Sequence, residues 1–319
     1  MATTIPELIG AFDTLDVLVI GDAMLDSYLT GTAGALCREA PVPIVTLTER
    51  VDAPGGGANT AANVRSLGGH VTFLSVVGDD AEGRLLRRLL QERGVAVEHI
   101  LTHPERQTLA KHRVLAESQL LVRFDQGSTS AVDQATEQAL HDRLVALFPR
   151  YNAVIISDYG YGIMTPRIIA ALAELQARDP RVVVADSKDL AAYRHVGITA
   201  VKPNYAEAFR LLDTPGGEDC GPRAEQIIAR SQQLLDITGA RLAAITLDTE
   251  GAVVVERGGL PYRTYARPAR HANAAGAGDT FLSALALALA AGADTPAAAE
   301  IASAAAASVV GKDGTATCS

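Results

Sequence analysis

Continuous apolar runs recur along the chain at residues 15–20, 71–77, 153–157, 182–185, 198–201 and 242–247, and helical patterns separate most of them. A strand that is apolar on both sides of its pleat needs cover on both faces. The intervening patterns, at 59–67, 82–93, 132–147, 166–177 and 223–238, are long enough to give that cover. Strands alternating with such helices predict an α/β fold with a mostly parallel sheet between two helical layers. Residues 43–49 and 108–125 break the rhythm, reading as strands in a polar, alternating context with no helix between neighbours. They predict a small antiparallel flap beside the main sheet. Alanine-rich helices are expected at 277–291 and 296–310. No linker, low-complexity run or fixed-period repeat interrupts the chain, so one domain is expected over residues 1–319.

Composition narrows the function. The 319 residues carry a formal net charge of −9, with a sequence pI near 5.3 and no basic stripe, which argues against nucleic acid as a partner. A few local cations can still dominate a closed pocket, so an anionic substrate stays open. Cys37, Cys220 and Cys318 are scattered, without the spacing of a zinc site or disulfide frame, and suit a reducing compartment. The N-terminus lacks a signal-peptide pattern, and the apolar stretch 281–293 is shorter than the roughly 20 residues that span a bilayer. A cytoplasmic protein without a membrane partner is expected.

Four motifs carry chemistry. Ala275-Gly276-Ala277-Gly278-Asp279-Thr280 opens a predicted helix. Its glycines let successive amides converge at a helix N-terminus, where unpaired donors favour an anion. Asp279 in that first turn can accept a proton from an attacking hydroxyl. Gly21-Asp22-Ala23-Met24-Leu25-Asp26 follows a buried strand, where open α/β sheets present ligand-binding groups, and Asp26 can accept from sugar hydroxyls. Gly55-Gly56-Gly57-Ala58-Asn59 allows close backbone approach to a ligand beside an amide that donates and accepts. Asn204 and Glu207, after Lys202-Pro203, share a helix face from which a carboxylate can hold Mg²⁺ through water. Each has a plainer reading as well: a glycine turn, an acidic loop, an Asn cap, a capping box.

Their order discriminates. An early Gly-x4-Asp, then GGxAN, then Asn-x2-Glu, then GAGD resembles the PfkB-type carbohydrate kinases across about residues 15–317. The resemblance implies a three-layer ribokinase-like fold with a β lid drawn from about 28–50 and 106–126. Further segments are similar to the bacterial heptose 7-phosphate kinases: Arg38-Glu39-Ala40-Pro41-Val42-Pro43, Lys111-x-Arg113-Val114, Arg123-x-Asp125, Ser157-Asp158-Tyr159 and Val310-Gly311-Lys312-x-Gly314-Thr315. That similarity implies transfer from ATP to heptose 7-phosphate, giving the 1,7-bisphosphate. Such kinases are often fused to a nucleotidyltransferase, and here the kinase step alone is expected.

On this resemblance Asp279 is the base and Gly276, Ala277 and Gly278 form the anion hole. Asp26, Gly55, Gly56, Asn59 and Asp158 bind the sugar, and Arg38, Lys111, Arg113, Arg123 and Lys188 supply charge for its phosphate. Asn204, Glu207, Thr246, Gly251 and Ser303 are expected at the nucleotide, with Glu207 holding Mg²⁺ through water. Asn273-Ala274-Ala275 stands where the family usually has Asp-x-Thr, which weakens the case for K⁺. Asp248, Ser303 and Tyr161 are further departures. Another sugar or a nucleoside as acceptor stays open, as does a sugar- or nucleotide-binding protein without catalysis; the absence of Trp counts against a stacked nucleobase. A lid-to-lid homodimer is the expected assembly.

Overall fold

The computed structural model describes residues 3–117, 119–214, 221–266, 275–312 and 314–318. In chain order the elements are α1 (Ile5–Gly10), β1 (Asp16–Gly21), β2 (Ala23–Leu36), β3 (Pro43–Gly56), α2 (Gly57–Ser66), β4 (His70–Gly78), α3 (Ala81–Glu92) and β5 (Ile100–His103). There follow β6 (Leu109–Ala116), β7 (Gln119–Gln126), α4 (Gln134–Leu147), β8 (Ala153–Asp158), α5 (Pro166–Arg178), β9 (Val182–Ser187) and β10 (Ala200–Val201). The last are α6 (Tyr205–Leu211), α7 (Arg223–Thr238), β11 (Leu242–Thr246), β12 (Ala252–Glu256), β13 (Tyr262–Thr264), α8 (Ala277–Ala290) and α9 (Thr295–Val309).

Nine strands form the main sheet in the order β13-β12-β11-β10-β9-β8-β1-β4-β5. It is parallel from β5 to β11, and β12 and β13 add an antiparallel edge. The alternation along β1 explains why both faces are covered. Val17 and Val19 pack into a core shared with α2, α3, α8 and α9, whereas Leu18 and Ile20 pack into a second core with α4, α5 and α7. All four are fully buried, so no register of this strand leaves a face for water.

Helix α8 is buried from Asp279 through Leu289, and from Phe281 onward every residue but Ser283 is apolar, as suits an interior helix. Alanines 284, 286 and 288 along it let α2 and α9 approach closely. This fixes the N-terminus of α8 at the carboxyl ends of the strands, where doubly wound sheets bind ligands.

The second sheet has the order β3-β2-β6-β7. It departs from the expected antiparallel flap in one respect, because β2 and β6 run parallel. Both its long strands also exceed the expected 28–50 span. β2 begins at Ala23, directly off the end of β1, so the lid is an extension of a core strand. Small residues such as Gly31 and Gly34 give that strand little periodic signal. Cys37 and Cys318 carry free thiols, and Cys220 lies outside the described residues. Among the described residues no helix is long and apolar enough to cross a membrane.

Candidate active site

Gly276 precedes α8 with φ of 83°, a conformation that glycine adopts without strain. A Cβ there would lie 2.9 Å from the Asn59 amide nitrogen, so the turn requires both the backbone freedom and the missing side chain. The first turn that follows leaves its amide groups without intrahelical acceptors. Asp279 sits in that turn, buried, with its two carboxylate oxygens held by different parts of the chain. Asn59 Nδ2 donates to Oδ2 at 2.7 Å, and the Tyr159 hydroxyl donates to Oδ1 at 3.1 Å. Burial pushes the Asp279 carboxyl up to about 6, with nearby Asp186 adding to the rise and Asn59, Lys202 and Tyr159 opposing it.

Asp279 and Gly278 border a cleft of about 180 Å³ that Asp158, Asp186, Lys188, Lys202 and Glu207 also line. Two ion pairs flank it. Lys202 Nζ lies 2.9 Å from Asp186 Oδ2, and Lys188 Nζ lies 2.5 Å from Glu207 Oε1. Lys202, on the segment after β10, is almost completely buried, 3.5 Å from where a Gly278 side chain would begin. Asp186 keeps its ammonium charged against the cost of burial. Asn204 and Glu207 form a reciprocal capping box at the start of α6, with Glu207 N to Asn204 Oδ1 at 2.9 Å and Asn204 N to Glu207 Oε2 at 3.0 Å. Burial opposes the Glu207 carboxylate, yet the Asn204 amide and Lys188 hold it below its ordinary range. Lys202 and Asp186 escaped the sequence reading, although an acid ending an apolar parallel strand is itself a signal.

On the other side of Asp279 lies one face of the lid. The register places Asp26, Lys111 and Asp125 in one row and Tyr28, Arg113 and Arg123 in the next. Arg113 Nη1 donates to Asp26 Oδ1 at 2.7 Å, and Thr315 Oγ1 donates to Asp26 Oδ2 at 2.9 Å. Gly55 is required beside it, since a Cβ would fall 2.5 Å from Asp26 Oδ2. Gly56, with φ of 55°, turns the chain from β3 into α2 and so delivers Asn59. Arg123 grips Asp125 through two hydrogen bonds of 2.8 and 2.5 Å. Among the described residues no carboxylate comes within 4.0 Å of Lys111. Its ammonium stands over the rings of Tyr159 and Tyr161, at 5.1 and 5.6 Å, and burial lowers its pKa.

Other expected site residues lie elsewhere. Arg38 is exposed in the turn joining β2 to β3, on the order of 30 Å along the strand from Asp26. Asp158 lines the cleft but turns its oxygens inward, accepting from Ser187 Oγ and the Tyr193 hydroxyl, both at 2.7 Å, and from Gly160 N at 2.9 Å. Thr246 ends β11 beside Asn204, while Gly251 and Ser303 converge on Thr264 toward the sheet edge. Asn273 and Ala274 fall outside the described residues. Tyr159 and Thr315, quoted above only as points of resemblance, prove to touch Asp279 and Asp26 directly.

The profile of the pfkB family carbohydrate kinase matches residues 14–319. The chain belongs to that family. This PfkB-family kinase is 35% identical over 300 residues to the bifunctional protein HldE of Paramagnetospirillum magneticum, covering 94% of this chain and 60% of that protein. It is 37% identical over 309 residues to the HldE protein of Geobacter sulfurreducens, covering 96% and 61%. It therefore spans about three fifths of the length of these relatives. Phosphofructokinase-2 from Escherichia coli, in a complex with potassium, superposes with a TM-score of 0.77 at 22% identity over 96% of each chain. Ribokinase of Arabidopsis thaliana, complexed with ribose and ATP, does so at 0.69 and 20% identity over 94% of each. These likenesses establish the ribokinase-like fold, and the family establishes a sugar kinase.

Proposed function

We propose that this kinase transfers the γ-phosphoryl group of ATP to a phosphorylated sugar, with heptose 7-phosphate as the favoured acceptor and Asp279 as the base. One observation carries the reading: Asp279 stands at a helix N-terminus between a cleft fit for a nucleotide and a basic lid face fit for an anionic acceptor. The heptose assignment rests on the motifs quoted above and on the 33–37% identity to HldE proteins.

The Asp279 carboxylate takes the proton of the acceptor hydroxyl as its oxygen bonds to the γ-phosphorus. The bond from phosphorus to the bridging oxygen breaks, and ADP leaves with the electron pair. The first amides of α8 and the buried Lys202 ammonium face the oxygens on which charge develops. Asp26 and Asn59 orient the sugar, and Lys111 and Arg113 receive its phosphate.

Among the described residues no group of three or more His, Cys, Asp or Glu side chains can hold a metal directly. Asp186 and Glu207 on one cleft fit Mg²⁺ that keeps most of its water and is held chiefly by the nucleotide. That ion supplies charge neutralisation at the phosphates when bound. A cytoplasmic homodimer completes the reading. Val122 and Phe124 alternate with Arg123 and so stand exposed on the outer lid face, an edge and surface that a second copy can cover.

The test is ADP release from Mg-ATP with heptose 7-phosphate, fructose 6-phosphate, ribose and a nucleoside, with and without K⁺. Turnover on heptose 7-phosphate far above the others supports the assignment. Turnover only on another acceptor discards the heptose, and nucleotide binding with no transfer discards the catalytic reading.

A further inference from the structure

Asp22 is a fully buried acid that the reaction just described does not use. It lies between β1 and β2, and its Oδ2 accepts from two backbone amides of the loop after β8, Tyr159 N at 2.8 Å and Tyr161 N at 3.2 Å. The buried Arg106 guanidinium holds the same loop from the other side, donating to Tyr161 O at 2.5 Å and also to Ser128 O and Ser130 O. A short loop on a sheet end is ordinarily mobile. This one is gripped at both amides and a carbonyl by two buried side chains.

What the grip delivers is Tyr159. Its hydroxyl donates to Asp279 Oδ1. Over its ring stand the lid's Lys111 ammonium at 5.1 Å and the Lys188 ammonium at 5.7 Å, the latter paired with Glu207 on the nucleotide side. One side chain thus touches the base, an acceptor-side cation and a donor-side cation.

We propose that Tyr159 is a positioning residue for the phosphoryl transfer, its hydroxyl orienting the Asp279 carboxylate and its ring seating Lys111 and Lys188, and that Asp22 sets it there by holding the backbone of its loop. The proposal rests on the kinase reading above. With Asn59 on one oxygen and Tyr159 on the other, the carboxylate is fixed in rotation and keeps lone pairs for the acceptor hydroxyl.

A hydrogen bond donated to a carboxylate favours its charged form. The other charged groups facing this pair are Asp186 and Lys202 toward Asp279, and Lys111, Lys188 and Asp26 toward Tyr159, with Asp22, which burial raises to about 6, on the Tyr159 backbone; Tyr159→Phe leaves all of them in place.

The experiment is the pH dependence of kcat for the wild type, Tyr159→Phe, Asp22→Asn and the double variant, with thermal melts of each. The acid limb of Tyr159→Phe should move up by about one pH unit, with the loss larger at pH 6 than at pH 8 and both KM values changed less than about threefold. Asp22→Asn, which keeps the tyrosine but loosens its loop, should shift the limb in the same direction, and the double variant should shift it no further than Tyr159→Phe. A limb that stays in place in Tyr159→Phe, even with lower kcat or Tm, overturns the proposal alone. A wild type that transfers to no sugar overturns the kinase reading and the proposal with it.

Discussion

Asn59 donates to Asp279 at 2.7 Å across 220 residues of sequence, and this one bond joins the N-terminus of α2 to that of α8 at the centre of the site. It holds a carboxylate that burial would otherwise leave protonated more readily still, since the buried Asp279 carboxyl is already raised to about 6.

That raised value has a sign. The folded-state pKa of about 6 lies above the ordinary value of an aspartate, so the native state binds the proton more tightly than the unfolded chain. The stability this contributes is present below pH 4 and is lost as pH rises through 6. Asp279→Asn removes the penalty of the buried charge. The variant should therefore be more stable than the wild type at pH 8, by roughly 3 kcal/mol, and the difference should vanish by pH 4. Denaturant melts at the two pH values measure it.

Lys202 and Asp186 should behave as a pair in stability and separately in catalysis. Lys202→Met leaves the partly buried Asp186 carboxylate without its partner and should cost about 2 kcal/mol. Adding Asp186→Asn should restore most of that stability but not the turnover, because the cation behind the anion hole is still missing and a carboxylate proposed for Mg²⁺ is lost with it. A double variant with wild-type kcat would show that Lys202 serves only to neutralise Asp186.

The legible part of the fold was the part written in long periodic segments. The runs that became β1, β4, β8, β9 and β11 are apolar on both faces because helices cover both, and so they stand out without any structure. The edge hairpin of β12 and β13 and the strand β2 did not. β2 owes its place to continuity with β1 and to pairing with β3 and β6, which its glycines and small polar residues do not announce. In the site, Gly276, Asp279, Asn59 and Glu207 were legible as short motifs. Lys202 and Tyr159 were not singled out, since their role depends on burial and on what folds over them. Arg38 resembles the others in sequence context, yet the long lid hairpin carries it away from the cleft.

Lys111 should govern the affinity for a phosphorylated acceptor. Its ammonium is partly desolvated with no carboxylate within 4.0 Å among the described residues, so a phosphate dianion is an effective partner. Lys111→Met should raise KM for a sugar phosphate about 10- to 100-fold while changing KM for ATP little. Steady-state kinetics in both substrates separate the two, and equal effects on both would remove Lys111 from the acceptor side.

The outer lid face should control assembly. Val122→Asp places a charge on the exposed apolar side of β7, away from Arg123 and Asp125, and leaves the stack of Phe124 on His112 in place. Sedimentation should show the variant shifted to monomer, with its melting curve altered only slightly. An unchanged assembly would place the interface elsewhere.

Asp279 as the group that removes the acceptor proton is tested by the single-turnover rate of phosphoryl transfer in Asp279→Asn beside the wild type, with heptose 7-phosphate and Mg-ATP at saturation. The expected result is a fall of about 10²- to 10⁴-fold in a protein that folds and binds nucleotide as the wild type does. A rate within threefold of the wild type would contradict it.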